Sequence, residues 1–117
     1  MSREIKKILN YTHHTINLMI DGGDSISLPK HGVVRAATAR HFLEDLELHG
    51  TKIPVNKTKF GSVVGLPEKE EGTIIVVSGI TAYALKGKRD DVYIVDELIR
   101  KDGVVIGAKN LAIYDNF

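Results

Sequence analysis

The run TIIVV, from Thr73 to Val77, constrains the fold of this chain more than any other stretch. An uninterrupted run of β-branched residues is typical of a strand that is buried on both faces. We therefore predict a central strand here. The polar, turn-rich segment 67–72 precedes it, and Ser78 and Gly79 follow it. Other strands must then lie on both sides of this one.

Apolar residues elsewhere recur mostly with a period of two, which predicts further strands. The turn signal DGGD, from Asp21 to Asp24, predicts a hairpin over residues 15–28, and Asp102 with Gly103 predicts another turn. The remaining predicted strands cover 5–10, 33–37, 60–64, 92–95, 104–106 and 110–114.

The segment 38–50 fits two structures. At a period of 3.6 it is a helix that begins at Thr38, ends at Gly50 and buries Phe42, Leu43 and Leu46. At a period of two its second half is a hairpin that turns at His49 and Gly50. That hairpin pairs Leu46 and Leu48 with Ile53 and Val55. We favour a turn or short helix over 38–44 followed by the hairpin.

A second helical pattern covers Ile80 to Lys86, with Ile80, Tyr83 and Ala84 on its inward face, Leu85 beside them and Gly87 at its end. Ser78 is well placed to cap it. The predicted fold class is α+β, mainly β. It is a single domain over residues 1–117, a small antiparallel or mixed sheet that curls toward a barrel, with one short helix near 79–87.

The composition and charge of the chain exclude several classes of function. The chain has 16 basic and 15 acidic residues, so no global field attracts nucleic acid or an anionic membrane. It has no cysteine, which excludes disulfides and thiolate metal sites. Without an apolar stretch of signal or membrane type, we expect a cytoplasmic protein. The absence of Gln and Trp is compatible equally with a thermophilic source and with chance.

The turn at Ser78 and Gly79 resembles two functional loops and matches neither. It lacks the G-x-S-x-G pattern of a nucleophile elbow and the GK[ST] of a phosphate loop. The five histidines show no HxH or HExxH spacing, so we predict no metal site. No motif indicates a cofactor. A generic anion contact at the helix N-terminus stays open.

The charged segment 86–91 also has two interpretations. In one, its charges compensate each other in solvent. In the other, Arg89 points into a cleft with Arg35 and Arg100 and is held by an aspartate, because the planar guanidinium suits phosphate or carboxylate ligands.

The chain resembles a family of small proteins of phages, prophages and other viruses. The resemblance rests on LNYTHHTI (9–16), VVRA (33–36), KIPV (52–55), GLPEKEEGTIIVVSGITAYALK (65–86), RDDV (89–92) and LIRKDGVVIG (98–107). The family begins with a pattern close to N-L-T-P-H, from which Tyr11 and His13 depart. The resemblance implies a viral or mobile-element origin and implies no reaction.

The polar positions of this pattern predict a shared ligand pocket. Its candidate residues are Asn10, Thr12, His14, Arg35, Ser78, Gly79, Arg89, Asp91 and Arg100. The favoured hypothesis is a non-enzymatic accessory protein that binds a small anionic, nucleotide-like ligand or a host protein. The alternatives are a small hydrolase or nuclease-like enzyme that uses His14 with Asp91, and a viral structural or nucleic-acid-binding factor. An exposed sheet edge would also allow a homodimer.

Overall fold

The computed structural model describes residues 3–114 as a curled mixed sheet, a long two-stranded arm and one short helix. The sheet contains β1 (Lys7–Asn10), β2 (Ile16–Met19), β3 (Ser25–Leu28), β6 (Thr73–Val76), β7 (Val92–Lys101) and β8 (Val104–Ala112). The arm consists of β4 (Arg35–Leu48) and β5 (Thr51–Val64), and the helix α1 covers Gly79–Ala84. The predicted fold class, α+β and mainly β, is confirmed.

The six strands of the sheet follow the order β1-β6-β7-β8-β2-β3. Strands β1, β6 and β7 are parallel, while β8 is antiparallel to β7 and parallel to β2. The two outer strands approach each other, since Asn10 of β1 bridges Lys30 just after β3. The sheet is therefore a nearly closed barrel. We call the end where β1, β6 and β7 finish the carboxyl edge, and the opposite end the amino edge.

The run TIIVV (73–77) forms the centre of the core. All four residues of β6 are buried, and the strand lies between β1 and β7. Ile75 and Val77 pack with Ala82, Leu85 and Val34, which brings the helix and the root of the arm against the sheet. A second cluster of Leu18, Leu28 and Ala108 fills the other side of the barrel. The prediction of a buried central strand is confirmed.

Both predicted turns are present. β2 and β3 pair antiparallel, with Met19 opposite Ser25. Asp102 and Gly103 have φ values of 53° and 80°, the positive angles of a tight hairpin turn between β7 and β8. Two predicted strands, 104–106 and 110–114, are one strand in the structure.

The arm is the largest departure from the sequence prediction. Residues 38–44 form no helix, and β4 is extended from Arg35 to Leu48. The hairpin is present, with His49 and Gly50 at the turn, where φ is 50° and 81°. Leu46 lies opposite Ile53, but Leu48 pairs with Thr51 and Val55 with Glu44, so the predicted pairing is right only in part. β5 offers Ile53, Val55 and the flanking threonines as strand partners along its length, and this pairing overrides the local helical periodicity.

The arm extends away from the body. The chain measures 56 × 37 × 28 Å and has a radius of gyration of 17.6 Å, whereas a compact domain of this length would have about 13 Å. Three contacts fix the root of the arm. The Thr81 hydroxyl donates to the Val34 carbonyl at 3.3 Å, the rings of Phe60 and Tyr83 lie 5.4 Å apart, and Gly65 packs against Val33.

The helix is present, but two of the residues predicted to face inward are exposed. Thr81, Ala82 and Leu85 are buried, whereas Ile80 and Tyr83, which we predicted to face inward, are 58% and 49% exposed. The helix is only six residues long, so its periodicity is too short to select a face from sequence. Val77, which connects β6 to the helix, is buried and packs in the same cluster as Ala82 and Leu85, so this face of the helix covers the core.

Candidate functional site

Asn10 closes the barrel. Its amide Nδ2 donates to the carbonyls of Leu28, at 2.9 Å, and His14, at 2.6 Å. Its Oδ1 accepts from the amide and the hydroxyl of Thr12, at 2.9 and 2.6 Å. The side chain is 1% exposed and every polar atom of it has a partner. Asn10 and Thr12 therefore hold the seam between β1 and β3, and the cluster uses the backbone of His14 rather than its imidazole.

Ser78 caps the helix, as the sequence predicts. Its hydroxyl oxygen accepts from the Thr81 amide at 3.4 Å and donates to the Thr81 hydroxyl at 3.0 Å. Gly79 follows as the first helical residue, where an added Cβ would lie 3.4 Å from the Tyr114 hydroxyl. The hydroxyl of Ser78 is thus engaged in local structure at the carboxyl edge.

Arg35 and Arg100 are exposed and lie on different elements. Arg35 begins the arm, opposite Val64, while Arg100 lies near the turn between β7 and β8, opposite Val105. Arg100 is eight residues beyond Val92 on the same strand, which corresponds to roughly 26 Å along an extended chain. Neither has an ion-pair partner among residues 3–114.

Arg89 and Asp91 form an ion pair at the amino edge, away from the other candidates. Arg89 Nε and Nη2 donate to the two carboxylate oxygens of Asp91, at 2.8 and 2.7 Å, and Nη1 donates to the Pro67 carbonyl at 3.1 Å. The side chains are 19% and 5% exposed. The hydrogen bonds from Asp91 raise the pKa of Arg89 further above its usual value. The pair anchors the 67–72 loop to the start of β7.

The nine predicted residues therefore divide between the two edges. Seven lie at the carboxyl edge or beyond it, namely Asn10, Thr12, His14, Arg35, Ser78, Gly79 and Arg100, and the remaining two, Arg89 and Asp91, lie at the amino edge. The three arginines do not converge. The imidazole of His14 is separated from Asp91 by the length of the sheet, and both oxygens of Asp91 already accept from Arg89.

Two shallow clefts open at the amino edge. One, of about 450 Å³, lies between the N-terminal segment at Arg3–Lys6 and the 69–74 segment. The other, of about 500 Å³, is lined by Lys69, Lys88, Arg89 and Asp90, with Tyr114 on its apolar side. Lys69 is paired with Asp90 at 2.6 Å. Among the residues that the structure describes, no group of three or more His, Asp or Glu side chains could hold a metal ion.

The arm is the surface that the sequence interpretation did not identify. Seven of its large apolar side chains are at least 42% exposed: Phe42, Leu43, Leu46, Leu48, Ile53, Phe60 and Val64. Local periodicity indicates that such side chains can be buried, and it does not show that the body of the domain lies too far away to cover them. The signal available in sequence was the length of the hairpin, which exceeds what a small barrel can enclose.

An aromatic group connects the arm to the body. Tyr83 of the helix contacts Phe60 of the arm at 5.4 Å and Tyr114 at 6.2 Å between ring centroids, and the Lys86 ammonium lies 4.7 Å above the Tyr83 ring. These rings are between 42% and 49% exposed. The group holds the arm in one direction relative to the barrel.

Comparison of the chain with protein-family models, curated proteins and solved structures finds no match in any of the three. The viral or mobile-element origin implied by the resemblance stays a prediction. Within residues 3–114, no helix is both long enough and apolar enough to cross a membrane.

Proposed function

We propose that this chain is a non-enzymatic binding protein that holds another protein chain along its arm. The observation that carries the proposal is the set of seven exposed large apolar side chains on one protruding hairpin. Strand pairing places Phe42 and Phe60 on one face of the arm and Leu46, Leu48 and Ile53 on the other. Clusters of exposed apolar side chains mark interaction sites. Both strands of the arm also have an unpaired outer edge within the described part of the chain, so backbone donors and acceptors are available to a partner.

The shape of the chain supports the same function. The arm is anchored at its root by Thr81, Phe60 and Gly65, so a partner meets a hairpin whose direction is already set. A preformed surface loses little conformational entropy on binding. By contrast, the predicted catalytic partners His14 and Asp91 lie at opposite edges of the sheet, which removes the arrangement on which a hydrolase would depend.

A photo-crosslinking amino acid at Leu46, on the arm, tests this proposal. The matched control carries the same probe at Ile20, on the barrel, since the two side chains are 50% and 44% exposed. We expect one dominant protein adduct from the Leu46 probe in cell extract, identified by its mass and then re-formed from purified components. Adducts of equal yield at both positions, or none at Leu46, would contradict the proposal.

A second candidate is a small anionic ligand in the cleft of about 500 Å³ at the amino edge. The cleft has the volume of a typical ligand site and combines Lys69, Lys88 and Arg89 with the Tyr114 ring. Asp90 and Asp91 neutralise two of the three cations, which leaves Lys88 as the available charge.

A thermal-shift screen against mono-, di- and cyclic nucleotides and inorganic phosphate tests this second function. Ligand at a hundred times its dissociation constant adds about 2.7 kcal/mol to the free energy of unfolding. We expect a rise in Tm that is lost in Lys88→Ala and kept in Lys101→Ala, which removes an exposed lysine at the far end of β7. A flat response over the whole panel would exclude the site.

A further inference from the structure

Arg40 and Asp45 lie on the same face of β4 although they are five positions apart, a spacing that puts residues of a regular strand on opposite faces. Arg40 pairs with Thr58 and Asp45 pairs with Pro54. Thr58 and Pro54 are four residues apart on a regular stretch of β5, so they share a face, and so do their partners. The cause is an extra residue, Leu43, between the pairs Phe42–Asn56 and Glu44–Val55.

The same bulge places His41 and Glu44 together on the opposite face. His41 pairs with Lys57 and Glu44 with Val55, and Lys57 and Val55 are two residues apart. The basic and acidic residues of β4 are therefore arranged symmetrically on the two sides of its central pair, Phe42 and Leu43. Arg40 and His41 precede Phe42 and Leu43, and Glu44 and Asp45 follow them.

The two strands of the arm differ in how their charged residues are distributed. β4 has Arg35 and Arg40 in its first half and Glu44, Asp45 and Glu47 in its second half. β5 has Lys52, Lys57 and Lys59 and no acidic residue. Two antiparallel copies of β4 would bring opposite charges together, whereas two copies of β5 would bring lysines together. Lysine on an edge strand is a common protection against pairing.

The apolar residues follow the same division. Four of the seven exposed large apolar side chains of the arm belong to β4, namely Phe42, Leu43, Leu46 and Leu48. The strand that is self-complementary in charge is therefore also the one with more apolar surface to bury.

We propose that the partner of the arm is a second copy of this chain, joined by antiparallel pairing of the two β4 outer edges about a two-fold axis. Phe42 and Leu43 lie at the axis. Arg40 of each copy then lies opposite Asp45 of the other, and His41 lies opposite Glu44. A closed two-fold interface of this type is self-complementary, so it stops at two copies.

This register matches the side-chain faces and is the one that places both Arg40 and His41 opposite acidic residues. With Arg40 opposite Asp45, the neighbouring pairs are Ala39 with Leu46 and Thr38 with Glu47, and each pair shares a face of the arm. A slip of one residue would put every side chain opposite one that points to the other face. The ladder covers 38–41 against 44–47, and the two bulges meet at the axis. The result is a four-stranded sheet that links two barrels.

Charge reversal on β4 tests this pairing. We would measure the mass in solution of wild type, Arg40→Glu and Asp45→Arg by light scattering and native mass spectrometry. Wild type is expected to be a dimer. Each variant alone should be a monomer, since like charges then lie opposite each other in both contacts. An equal mixture of the two variants should recover the dimer, as a heterodimer containing one chain of each mass.

Lys57→Glu is the matched control, because it reverses a charge at the same height of the arm on β5 and should leave the dimer intact. Recovery in the mixture also shows that both variants are folded. A wild type that stays monomeric at all concentrations, an Arg40→Glu variant that stays dimeric, or a mixture without heterodimer would each overturn the inference.

This inference depends on the proposed function of the arm, and the two can fail separately. A monomeric wild type whose Leu46 probe still captures a different protein would exclude the second copy and leave the binding function standing. A monomer without any adduct at Leu46 would exclude both.

Discussion

The guanidinium of Arg89 donates to both carboxylate oxygens of Asp91 across a single intervening residue, at 2.8 and 2.7 Å. A pair this close, with Asp91 only 5% exposed, belongs to the framework of the amino edge. It ties β7 to the 67–72 loop through the further bond from Arg89 to the Pro67 carbonyl. The arginine that sequence interpretation placed in a ligand cleft thus has three of its donor positions occupied by the protein itself.

Removal of one member of this pair should be strongly destabilising. We expect Arg89→Ala to lower the free energy of unfolding by about 3 kcal/mol, because it leaves the buried Asp91 carboxylate without its partner. The double variant Arg89→Ala/Asp91→Ala should cost less than the sum of the single variants. Urea denaturation of the four proteins measures this coupling. Lys69→Ala is the control, since its pair with Asp90 is exposed to solvent and should contribute little to stability. Additive effects would show that the pair is not coupled.

Asp90 gives a prediction about pH. Its hydrogen bond and charge interaction with Lys69 hold the pKa of Asp90 below its usual value. A carboxyl group with a lowered pKa in the folded state contributes stability above the unfolded-state pKa, and this contribution is lost as pH falls through the folded value. Lys69→Ala should therefore shift the titration of Asp90 upward, as measured by NMR of its carboxyl carbon. An unchanged midpoint would mean that the two side chains do not meet in solution.

Substitution of Asn10 should destabilise the protein more than substitution of an exposed asparagine. We expect Asn10→Ala to lower the free energy of unfolding by about 3 kcal/mol, because the Leu28 carbonyl and the Thr12 amide lose their partner at a buried position. Asn17→Ala is the control, since Asn17 is exposed and makes one long bond of 3.4 Å to the Ile106 carbonyl. Denaturation in urea would compare them. Equal losses of unfolding free energy in the two variants would contradict the role of Asn10 in joining β1 to β3.

The root of the arm depends on a glycine. An added Cβ at Gly65 would lie 2.7 Å from the Val33 carbonyl oxygen, and φ there is +91°. Gly50 at the arm tip also has a positive φ, +81°, but has nothing within 4 Å. In both alanine variants the strained backbone should lower the free energy of unfolding by about 1 kcal/mol. Only Gly65→Ala also adds a steric clash with the backbone. We expect a clearly larger loss in Tm for Gly65→Ala. A similar loss in both would show that the root can move.

Hydrogen exchange provides a view of the arm that needs no substitution. If two copies pair through β4, amides in 38–47 that point away from β5 should exchange more slowly as protein concentration rises. The outer-edge amides of β5 should exchange at the same rate at all concentrations, since that edge stays free. Protection that rises on β5 instead would reverse the assignment of the strand that pairs.

Local pattern was sufficient for the parts of the fold that are decided by neighbours in sequence. The strand from Thr73, the turn at Asp21–Asp24, the hairpin at His49 and Gly50, and the cap at Ser78 all follow from residues within a few positions of each other. The largest failure comes from competition between local periodicity and distant partners. Thr38 to Glu44 could form a helix by pattern, and it is a strand because β5 pairs with it along its length.

For the candidate site, too, sequence predicted the local contacts, and only the tertiary structure determined the distant ones. Sequence placed an aspartate next to Arg89 without deciding which one, and the structure selects Asp91, two residues away. Sequence could not decide that Arg35 and Arg100 lie far from Arg89, or that the apolar side chains of β4 face solvent. Those facts depend on which strands lie side by side and how far the arm extends beyond the core. Hydrophobic pattern records which residues can be buried, and only the packed structure determines whether anything covers them.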